Sequence, residues 1–476
     1  LLLLKKEDCK SCYKCIRECA LKSIRFSENR AQIVERECVY CGHCYVTCPQ
    51  SAKEIRRDTD KAKALIASGR PVIVSLAPSF IADFGVGGLD GMRQALLKLG
   101  FADVEETARG AKIVKTEYER MIASGEHKLI ISSCCHSVNL LIQKRYPQAL
   151  PYLAKVDSPM LAHAKSIKER VPGSAVVFIG PCISKKDEAE QYGQVDCVLT
   201  FDELIDWLAE EGIELPAGEQ PDGTEARSRF FPTAGGIIRS MDLDDGFSYI
   251  PIDGLRRCMD ALEEIERGGM QNCFVEMNAC EGSCIGGPVM HRYHSAPITC
   301  KTRVEQYSGK SGRDFDDQPA DDLRKSMQYI GSGAVKPGEA AIQEVLHKLG
   351  KYRPEDELNC GTCGYSTCRE KAIAVCQGKA DLTMCLPFLK ARAESFSGAI
   401  LDNTPNAIMA MDTKLIIQQA NESAARLFGM ESPREMVGMP IDAILGTVEY
   451  LQAIDGERPD GPIRHYLPEY DKYVEE

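Results

Sequence analysis

The pattern of apolar and polar positions predicts α/β structure between about residues 59 and 349. Continuous apolar runs rich in β-branched residues alternate with helical segments such as the amphipathic stretch "FDELIDWLAEEG". Such runs are typical of strands in a parallel sheet buried on both faces. The runs are "RPVIVSLAP" at 70–78, "HKLIISS" at 127–133, "SAVVFIG" at 174–180 and "VDCVLT" at 195–200. Ligands of such sheets bind beyond the carboxyl ends of the strands, and cysteines follow two of these runs.

The pattern changes at about residue 391. The stretch "NAIMAMDTKLIIQQANESAARLFGM" predicts a strand, a short turn, a second strand and a helix capped near Asn421. No cysteine occurs in residues 391–476. This last segment is therefore expected to be a separate α+β domain, of which only the first part is present.

The length and net charge of the chain limit the number of domains and the kinds of binding partner to be expected. A chain of 476 residues is too long for one core and predicts two to four domains. The formal net charge of −12 is spread along the chain without a basic stripe, which argues against a nucleic-acid partner. No apolar run approaches the roughly 18 residues that span a membrane, so no membrane partner is expected.

The chemistry of the chain is concentrated in its 22 cysteines, most of which stand in short-spaced groups. Repeated groups of this kind in a large chain favour metal clusters over a disulfide framework, and with them a reducing, cytoplasmic setting. Four further cysteines outside these groups are expected to be core thiols. They are Cys197, Cys258, Cys273 and Cys300.

Residues 1–58 repeat one cysteine spacing. "CKSCYKCIREC" and "CVYCGHCYVTCP" both read C-x2-C-x2-C-x3-C. This pattern resembles bacterial two-cluster ferredoxins, in which the fourth cysteine of each run binds the other cluster. Disulfides or separate zinc sites are the alternatives. The implied [4Fe-4S] ligand sets are Cys9, Cys12, Cys15 and Cys48 for one cluster, and Cys38, Cys41, Cys44 and Cys19 for the other.

Residues 350–390 contain a further cysteine group, "NCGTCGYSTCREKAIAVCQGKADLTMC". The spacing C-x2-C-x4-C-x16-C predicts a compact single [4Fe-4S] site, with a zinc site as the alternative. Cys376 lies at helical spacing within the group and is expected to be a packed thiol. The predicted ligands are Cys360, Cys363, Cys368 and Cys385.

Three motifs in the middle of the chain carry a family resemblance. "SSCCH" at 132–136, "GPCISKKDE" at 180–188 and "MNACEGSCIGGP" at 277–288 occur in this order, with "PTAGGI" at 232–237 between the second and third. Together they resemble the signatures of the catalytic domain of iron-only (FeFe) hydrogenases. The resemblance implies a multidomain α/β protein that contains the H-cluster, a [4Fe-4S] cubane joined to a two-iron half with CO, cyanide and a dithiolate.

The resemblance also implies a role for each matching residue. Cys135, Cys182, Cys280 and Cys284 correspond to the cubane ligands, and Cys284 also bridges to the two-iron half. Cys134 corresponds to the proton-donor thiol, Lys185 to a lysine near a cyanide, and Glu188 to the acid that holds the second motif. A free thiol can move protons where an iron-bound thiolate cannot, and a lysine stabilises an anionic ligand. A solvated lysine is the alternative for Lys185.

The chain departs from the family pattern around the two-iron half. Gly180 and Asn278 stand where the family has methionines, and His136 stands where it has proline. Losing the two thioethers is expected to admit polarity or water and to alter the potential. His136 is either an extension of a proton relay or a structural histidine. Glu117 and Glu119 match the family's proton-path acids poorly and are equally consistent with helix-surface acids.

The tail resembles the start of a PAS domain, through "LDNTPNAIMAMD" and "IIQQANESAARLFG". Four domains are thus expected: a two-[4Fe-4S] ferredoxin-like domain over 1–58, the H-cluster domain over 59–349, a single [4Fe-4S] domain over 350–390 and a truncated PAS domain over 391–476. Sensory PAS-bearing hydrogenases share this organisation. The resemblance implies slow, reversible H2 chemistry used for sensing, a homodimer, a redox partner such as ferredoxin, and a kinase or phosphatase downstream of PAS.

Two other functions remain open from the sequence. One is a metabolic hydrogenase that exchanges electrons with ferredoxin. The other is a cluster-binding protein that keeps the hydrogenase scaffold without the two-iron half; Cys134 and Lys185 argue against it.

Overall fold

The computed structural model describes residues 1–218, 225–290, 294–317, 322–445, 464–468 and 471–475. The chain forms two compact units, Leu1–Asp381 and Leu382–Glu476. The expected domain boundaries at 58 and 349 therefore fall inside the first unit, and the segment 350–390 belongs to both units.

The amino-terminal segment is built from two antiparallel strand pairs and two short helices. Its elements are β1 (Leu2–Leu4), α1 (Lys14–Glu18), β2 (Ile24–Ser27), β3 (Arg30–Ile33), α2 (His43–Val46) and β4 (Lys53–Ile55). β1 pairs with β4 and β2 pairs with β3. Because β1 and β4 lie at the two ends of the segment, their pairing brings the second cysteine run close to the first.

The middle of the first unit contains two parallel sheets flanked by helices. Its elements are α3 (Thr59–Ala67), β5 (Val72–Leu76), α4 (Phe80–Asp83), α5 (Leu89–Lys98), β6 (Asp103–Glu106), α6 (Ala108–Ala123), β7 (Leu129–Ile131), α7 (His136–Arg145), α8 (Pro159–Arg170), β8 (Ala175–Gly180), α9 (Ser184–Tyr192), β9 (Cys197–Thr200), α10 (Phe201–Glu210), α11 (Gly236–Ser240), β10 (Ser248–Asp253), α12 (Leu255–Arg267), β11 (Cys273–Asn278), α13 (Pro297–Ser308), α14 (Glu339–Lys348) and α15 (Cys368–Cys376).

The strand order is β6–β5–β8–β9 in one sheet and β10–β11–β7 in the other, and every pair is parallel. All residues of β5, β8 and β11 are buried, which explains why their sequences are mostly apolar. The predicted parallel α/β structure is confirmed. The strand of the run 127–133, however, pairs with β11 rather than with the other three predicted strands.

A buried lysine joins the start of α3 to the first sheet. The Lys186 ammonium on α9 donates to Asp58 Oδ2 at 2.7 Å, to the Val198 carbonyl at 2.8 Å and to Glu203 Oε1 at 3.2 Å. Glu203 also completes a capping box with Thr200, which begins α10 where the sequence predicted a helix. The fully buried ammonium thus neutralises two carboxylates at this junction.

The second unit contains α16 (Leu386–Asn403), β12 (Met409–Met411), β13 (Ile417–Ala420), α17 (Glu422–Leu427), α18 (Pro433–Met436), β14 (Arg464–Leu467) and β15 (Lys472–Glu475). β12 and β13 form an antiparallel pair, and Asn421 Oδ1 accepts from the Ala424 amide to cap α17. The strand–turn–strand–helix prediction is confirmed here. The predicted PAS segment also includes residues 446–463, which lie outside the described residues.

We predict that Lys186→Met lowers the free energy of unfolding by about 3 kcal/mol, because Asp58 and Glu203 would keep buried charges without their cation. Urea unfolding of the variant and wild type measures the difference. Lys61→Met, at an exposed position of α3, is the matched control and should change stability by no more than about 0.5 kcal/mol. Equal effects of the two substitutions would contradict this account.

Candidate active site

One cavity collects the three cysteine motifs at the carboxyl ends of strands from both sheets. Cys134 and Cys135 follow β7, Cys182 follows β8 and Cys280 follows β11. Cys284 comes from the short 3-10 turn Ser283–Gly286. All five thiols line a cavity of about 100 Å³. The topology of parallel sheets therefore brings together residues up to 150 positions apart in the sequence.

Four of these thiols form a group suited to a multi-iron cluster. Burial raises the pKa of Cys280 well above its ordinary value, and the neighbouring Cys182, Cys135 and Cys284 raise it further. None of the chain's 22 cysteines forms a disulfide. Within the described residues, no three His, Cys, Asp or Glu side chains are close enough to hold one metal ion. A [4Fe-4S] cubane takes four thiolate ligands, and these four thiols line one cavity, so the donor set fits a cluster.

The loops of Cys182 and Cys284 approach each other at Gly287. A Cβ at Gly287 would lie 2.9 Å from the Cys284 carbonyl oxygen and 3.0 Å from the Pro181 carbonyl oxygen. Contacts this short would push the loops apart. The absence of a side chain at position 287 therefore helps to keep the thiols of the second and third motifs at one site.

Cys134 contacts a tyrosine that sequence reasoning did not single out. Its Sγ lies 3.3 Å from Tyr118 Oη, and burial raises the pKa of the Cys134 thiol to about 12. Cys134 is therefore protonated at neutral pH, with a pKa above the ordinary thiol value of about 8.5. Tyr118 Oη accepts from the Ser133 amide at 2.9 Å, and Ser133 Oγ donates to the Val156 carbonyl at 2.8 Å.

Lys185 lies in a largely buried ion network. Its ammonium donates to the Cys134 carbonyl at 3.2 Å and to Glu188 Oε2 at 2.5 Å. Glu188 Oε2 also accepts from Ser158 Oγ at 3.0 Å, and Glu188 Oε1 binds the Lys325 ammonium. Burial alone would lower the pKa of Lys185, but the Glu188 charge raises it above its ordinary value. Lys185 is thus a fixed cation, and the alternative of a solvated lysine is wrong.

His136 is buried beside the same network. Its Nε2 lies 2.8 Å from Asp187 Oδ2 and its Nδ1 has no hydrogen-bond partner. Burial lowers the pKa of His136 below its ordinary value, so the ring is neutral and donates from Nε2 to Asp187. The structure thereby gives His136 a defined tautomer and a place in the cavity wall.

The two replaced methionine positions differ in their surroundings. A Cβ at Gly180 would lie 2.7 Å from ring atoms of Phe178, so an aromatic ring occupies the space beside this glycine. The expectation of greater polarity or water access is therefore wrong at Gly180. Asn278 does introduce polarity, since its amide lines the cavity and donates to Glu276 Oε1 at 3.2 Å.

Glu276 is a second residue that the sequence analysis missed. It is fully buried on β11, burial raises its pKa to about 7, and its Oε2 accepts from the Ile238 amide at 3.1 Å. An acid inside the apolar run "CFVEMN" was the available signal. Glu117 forms an ion pair with Arg120 and Glu119 accepts from the Asp242 amide. The contact to Cys134 is instead made by Tyr118, which lies between them.

The amino-terminal cysteines line two further cavities, each with a mixed set from both runs. One cavity is lined by Cys9, Cys12, Cys15 and Cys48. The other is lined by Cys19, Cys38, Cys41 and Cys44, and extends to Cys280 of the active site. A Cβ at Gly42 would lie 2.6 Å from Pro288 Cβ, so the second cysteine loop packs closely against the third motif.

The third predicted cluster segment packs against the amino-terminal segment within the first unit. The Lys22 ammonium donates to the Gly364 carbonyl at 2.9 Å, and the Cys368 amide donates to Asn359 Oδ1 at 2.7 Å. Cys360, Cys363 and Cys368 belong to the first unit and Cys385 to the second. Cys376, expected to be packed, is exposed.

The remaining cysteines agree with the sequence analysis. The four expected core thiols are all buried, namely Cys197, Cys258, Cys273 and Cys300. Of the two histidines of the stretch "HRYH", His294 lines the cavity of the second cysteine run, and His291 lies outside the described residues.

Three segments match described protein families. Residues 70–288 match the family "Iron only hydrogenase large subunit, C-terminal domain". Residues 356–387 match "Putative Fe-S cluster" and residues 396–461 match "PAS domain". The resemblance to iron-only hydrogenases and to PAS domains is confirmed at the level of domain families.

The similar proteins include both hydrogenases and assembly factors. The chain is 26% identical to the NADP-reducing hydrogenase subunit HndD of Solidesulfovibrio fructosivorans, over 59% of this chain and 60% of that subunit. It is 27% identical to the cytosolic Fe-S cluster assembly factor NAR1 of Yarrowia lipolytica, over 39% of this chain and 45% of that protein. The chain thus spans about half the length of these relatives. [FeFe]-hydrogenase HydA1 from Chlamydomonas reinhardtii is 20% identical, covers 62% of this chain and 95% of its own, and has a TM-score of 0.44.

The described part of the chain contains no helix that is both long and apolar enough to cross a membrane.

We predict that Glu188→Gln destabilises the protein by about 3 kcal/mol at pH 7, since Lys185 and Lys325 would lose a shared buried anion. The two lysines hold the pKa of Glu188 below its ordinary value, against the effect of burial. The stabilisation is therefore complete above the unfolded-state pKa of about 4.3 and is lost as the pH falls toward the lower folded-state value.

Urea unfolding between pH 3 and 7 tests this pH dependence. The difference between wild type and Glu188→Gln should shrink below about pH 4.3. Glu190→Gln is the control, because Glu190 pairs with Arg56 at the surface of the same helix. A difference that is constant over the whole range would contradict the charge argument.

Proposed function

We propose that the protein is an FeFe hydrogenase that catalyses H2 = 2 H⁺ + 2 e⁻ reversibly and slowly, and uses this reaction to sense hydrogen or redox state. The observation that carries the proposal is the convergence of four unpaired thiols, a fifth protonated thiol and a buried lysine on one cavity. The match of residues 70–288 to the iron-only hydrogenase family model supports it.

The first part of the proposal concerns the cofactor. Cys135, Cys182, Cys280 and Cys284, which all line the cavity, would hold the H-cluster. When bound, the H-cluster supplies the redox chemistry that cleaves or forms H2. Apolar groups such as Phe178 and Pro181 line the cavity and exclude water from it.

The second part concerns the protein groups that act beside the cofactor. Cys134 Sγ gives and takes the proton of the reaction, and the contact with Tyr118 orients it. The Lys185 ammonium provides a fixed positive charge toward the anionic ligands of the two-iron half. Glu188 keeps Lys185 charged and in position, and does not itself contact the substrate.

The third part concerns electron carriers. The two mixed cysteine sets support two [4Fe-4S] clusters with crossed ligands, Cys9, Cys12, Cys15 and Cys48 and Cys38, Cys41, Cys44 and Cys19. The segment 356–387 supports a third, with Cys360, Cys363, Cys368 and Cys385 as ligands. A reducing cytoplasmic setting and a redox partner such as ferredoxin follow from such a chain of clusters.

The sensory part of the proposal combines two features. The chain has a PAS domain, a module that senses signals and dimerises, and it lacks both methionines near the two-iron half. Bulk hydrogen turnover needs no PAS domain. We therefore propose a homodimer in which the redox state of the clusters changes the PAS region and the activity of a kinase or phosphatase.

A non-catalytic iron–sulfur scaffold is the second candidate function. The similarity to the assembly factor NAR1 favours it, because that protein is as similar to this chain as a hydrogenase subunit is. A scaffold has no use for a protonated thiol and an ion-paired lysine in the same cavity. The two candidates differ in whether the two-iron half is bound.

Infrared spectroscopy of the matured protein under H2 and under argon tests the proposal. Bands of metal-bound CO and cyanide that change between the two gases are expected. Their absence from fully matured protein would leave the scaffold function. High turnover, together with no effect of H2 on any PAS-linked kinase or phosphatase, would contradict the sensory role and favour a metabolic enzyme.

We predict that two neighbouring substitutions have different effects on these bands. Cys135→Ala should abolish the CO and cyanide bands, because it removes a cluster ligand. Cys134→Ala should keep the bands and slow turnover by about 100-fold or more, because it removes only the proton donor. Infrared spectra and H2 assays of both variants measure this, and loss of the bands in both would refute the assignment.

A further inference from the structure

A buried chain of hydrogen bonds leads from the active-site cavity to the surface, on residues outside the three cysteine motifs. Thr107 lines the cavity, and its Oγ1 lies 2.8 Å from Ser75 Oγ. Ser75 Oγ lies 2.8 Å from His163 Nδ1, and His163 Nε2 lies 3.1 Å from Glu105 Oε2. Ser75 and His163 are fully buried, whereas the Glu105 side chain is 14% exposed.

Helix packing at Gly110 places His163 in this chain. A Cβ at Gly110 would lie 2.0 Å from the Pro159 carbonyl oxygen and 2.7 Å from His163 Cβ. Helices α6 and α8 can therefore approach closely at this point only because position 110 lacks a side chain. The approach brings the imidazole from α8 to the hydroxyl of Ser75 on β5.

The charge of Glu105 gives the chain of hydrogen bonds one direction. Burial alone would raise the pKa of Glu105, but hydrogen bonds from His163 and Arg170 lower it to about 2. An ionised carboxylate only accepts, so His163 donates from Nε2. In the neutral ring, Nδ1 is then the acceptor. Ser75 then donates to His163 and accepts from Thr107. Every donor thus points from the cavity toward the surface.

The contacts of Cys134 do not provide such an exit. From Cys134 they run through Tyr118 and Ser133 to the carbonyl of Val156, which is buried. A backbone carbonyl accepts a hydrogen bond but has no proton to pass on. Within the described residues, the hydrogen bonds that start at the Cys134 thiol therefore end inside the protein.

We infer that Thr107, Ser75, His163 and Glu105 conduct protons between the active-site cavity and the surface. The inference rests on the proposed hydrogenase function. In each passage a proton enters at Thr107 Oγ1, the Thr107 proton moves to Ser75, and the Ser75 proton moves to His163 Nδ1. The Nε2 proton of His163 moves to Glu105 and leaves to water. One proton enters, one leaves, and no electron moves along the chain.

Two substitutions break the chain at different points, and two others serve as controls. Ser75→Ala and Thr107→Val each remove one hydroxyl and little volume. Thr107→Ser keeps the hydroxyl. Ser308→Ala removes a buried hydroxyl that donates only to the Val304 carbonyl of its own helix.

The readout is the rate at which the CO and cyanide bands convert after a pH jump in the matured protein, in H2O and in D2O. Ser75→Ala and Thr107→Val should keep the starting band positions and convert about 100-fold more slowly, with the double variant no slower than either one. Thr107→Ser and Ser308→Ala should convert at the wild-type rate. Should Ser75→Ala fail to mature, the two substitutions at position 107 decide.

Wild-type rates in Ser75→Ala and Thr107→Val, with intact bands, would overturn the inference, and so would equal slowing in Ser308→Ala. Absence of the bands from the wild type is a different result, because it refutes the proposed function. The direction of the hydrogen bonds from Thr107 to Glu105 can then still be measured by ¹⁵N NMR of His163 in the protein without its cofactor. A proton on Nε2 supports the inference, and a proton on Nδ1 contradicts it.

Discussion

The convergence of five thiols on one cavity is the constraint on which the rest of this structure depends. Desolvation raises the pKa values of Cys134, Cys135, Cys280 and Cys284, and neighbouring thiols raise the pKa values of the last three further. Parallel strands from two sheets must end at the same point to bring them together. Close packing around the cavity depends on glycines at positions 42, 110 and 287. Two cations, Lys185 and Lys325, balance the charge of Glu188 beside it.

The charged groups beside the cavity are stabilised by pairing with one another and not by contact with water. Glu188 is shared between two lysines, and His136 donates to Asp187. Each of these groups would be costly to bury alone, and together they keep a cation next to an apolar cavity. This arrangement explains how the second motif can present Lys185 toward the site while the helix that carries it remains packed.

The sequence predicted those elements that depend on the residue pattern of a single short segment. The strands β5, β8 and β9, the capped helices α10 and α17 and the cysteine spacings all depend on neighbouring residues. Partition of the strands into two sheets was not predictable, because pairing of Leu129–Ile131 with Cys273–Val275 joins distant segments. Tyr118 and Lys325 were missed for the same reason, since their importance comes only from what the fold places beside them. Glu276 is different, because an acid inside an apolar run was visible in the sequence.

The contact between Gly42 and Pro288 has a consequence for evolution and engineering. Under the proposed function electrons cross between this loop and the third motif, and the probability of crossing falls steeply with distance. A methyl group at position 42 would then change that rate as well as the packing. The loop that carries Cys41 and Cys44 could not gain bulk there without moving away from the third motif. Glycine at position 42 therefore sets the shortest distance between this loop and the third motif. Under the proposed function, substitutions that change the rate of electron transfer without moving the loop would have to lie elsewhere.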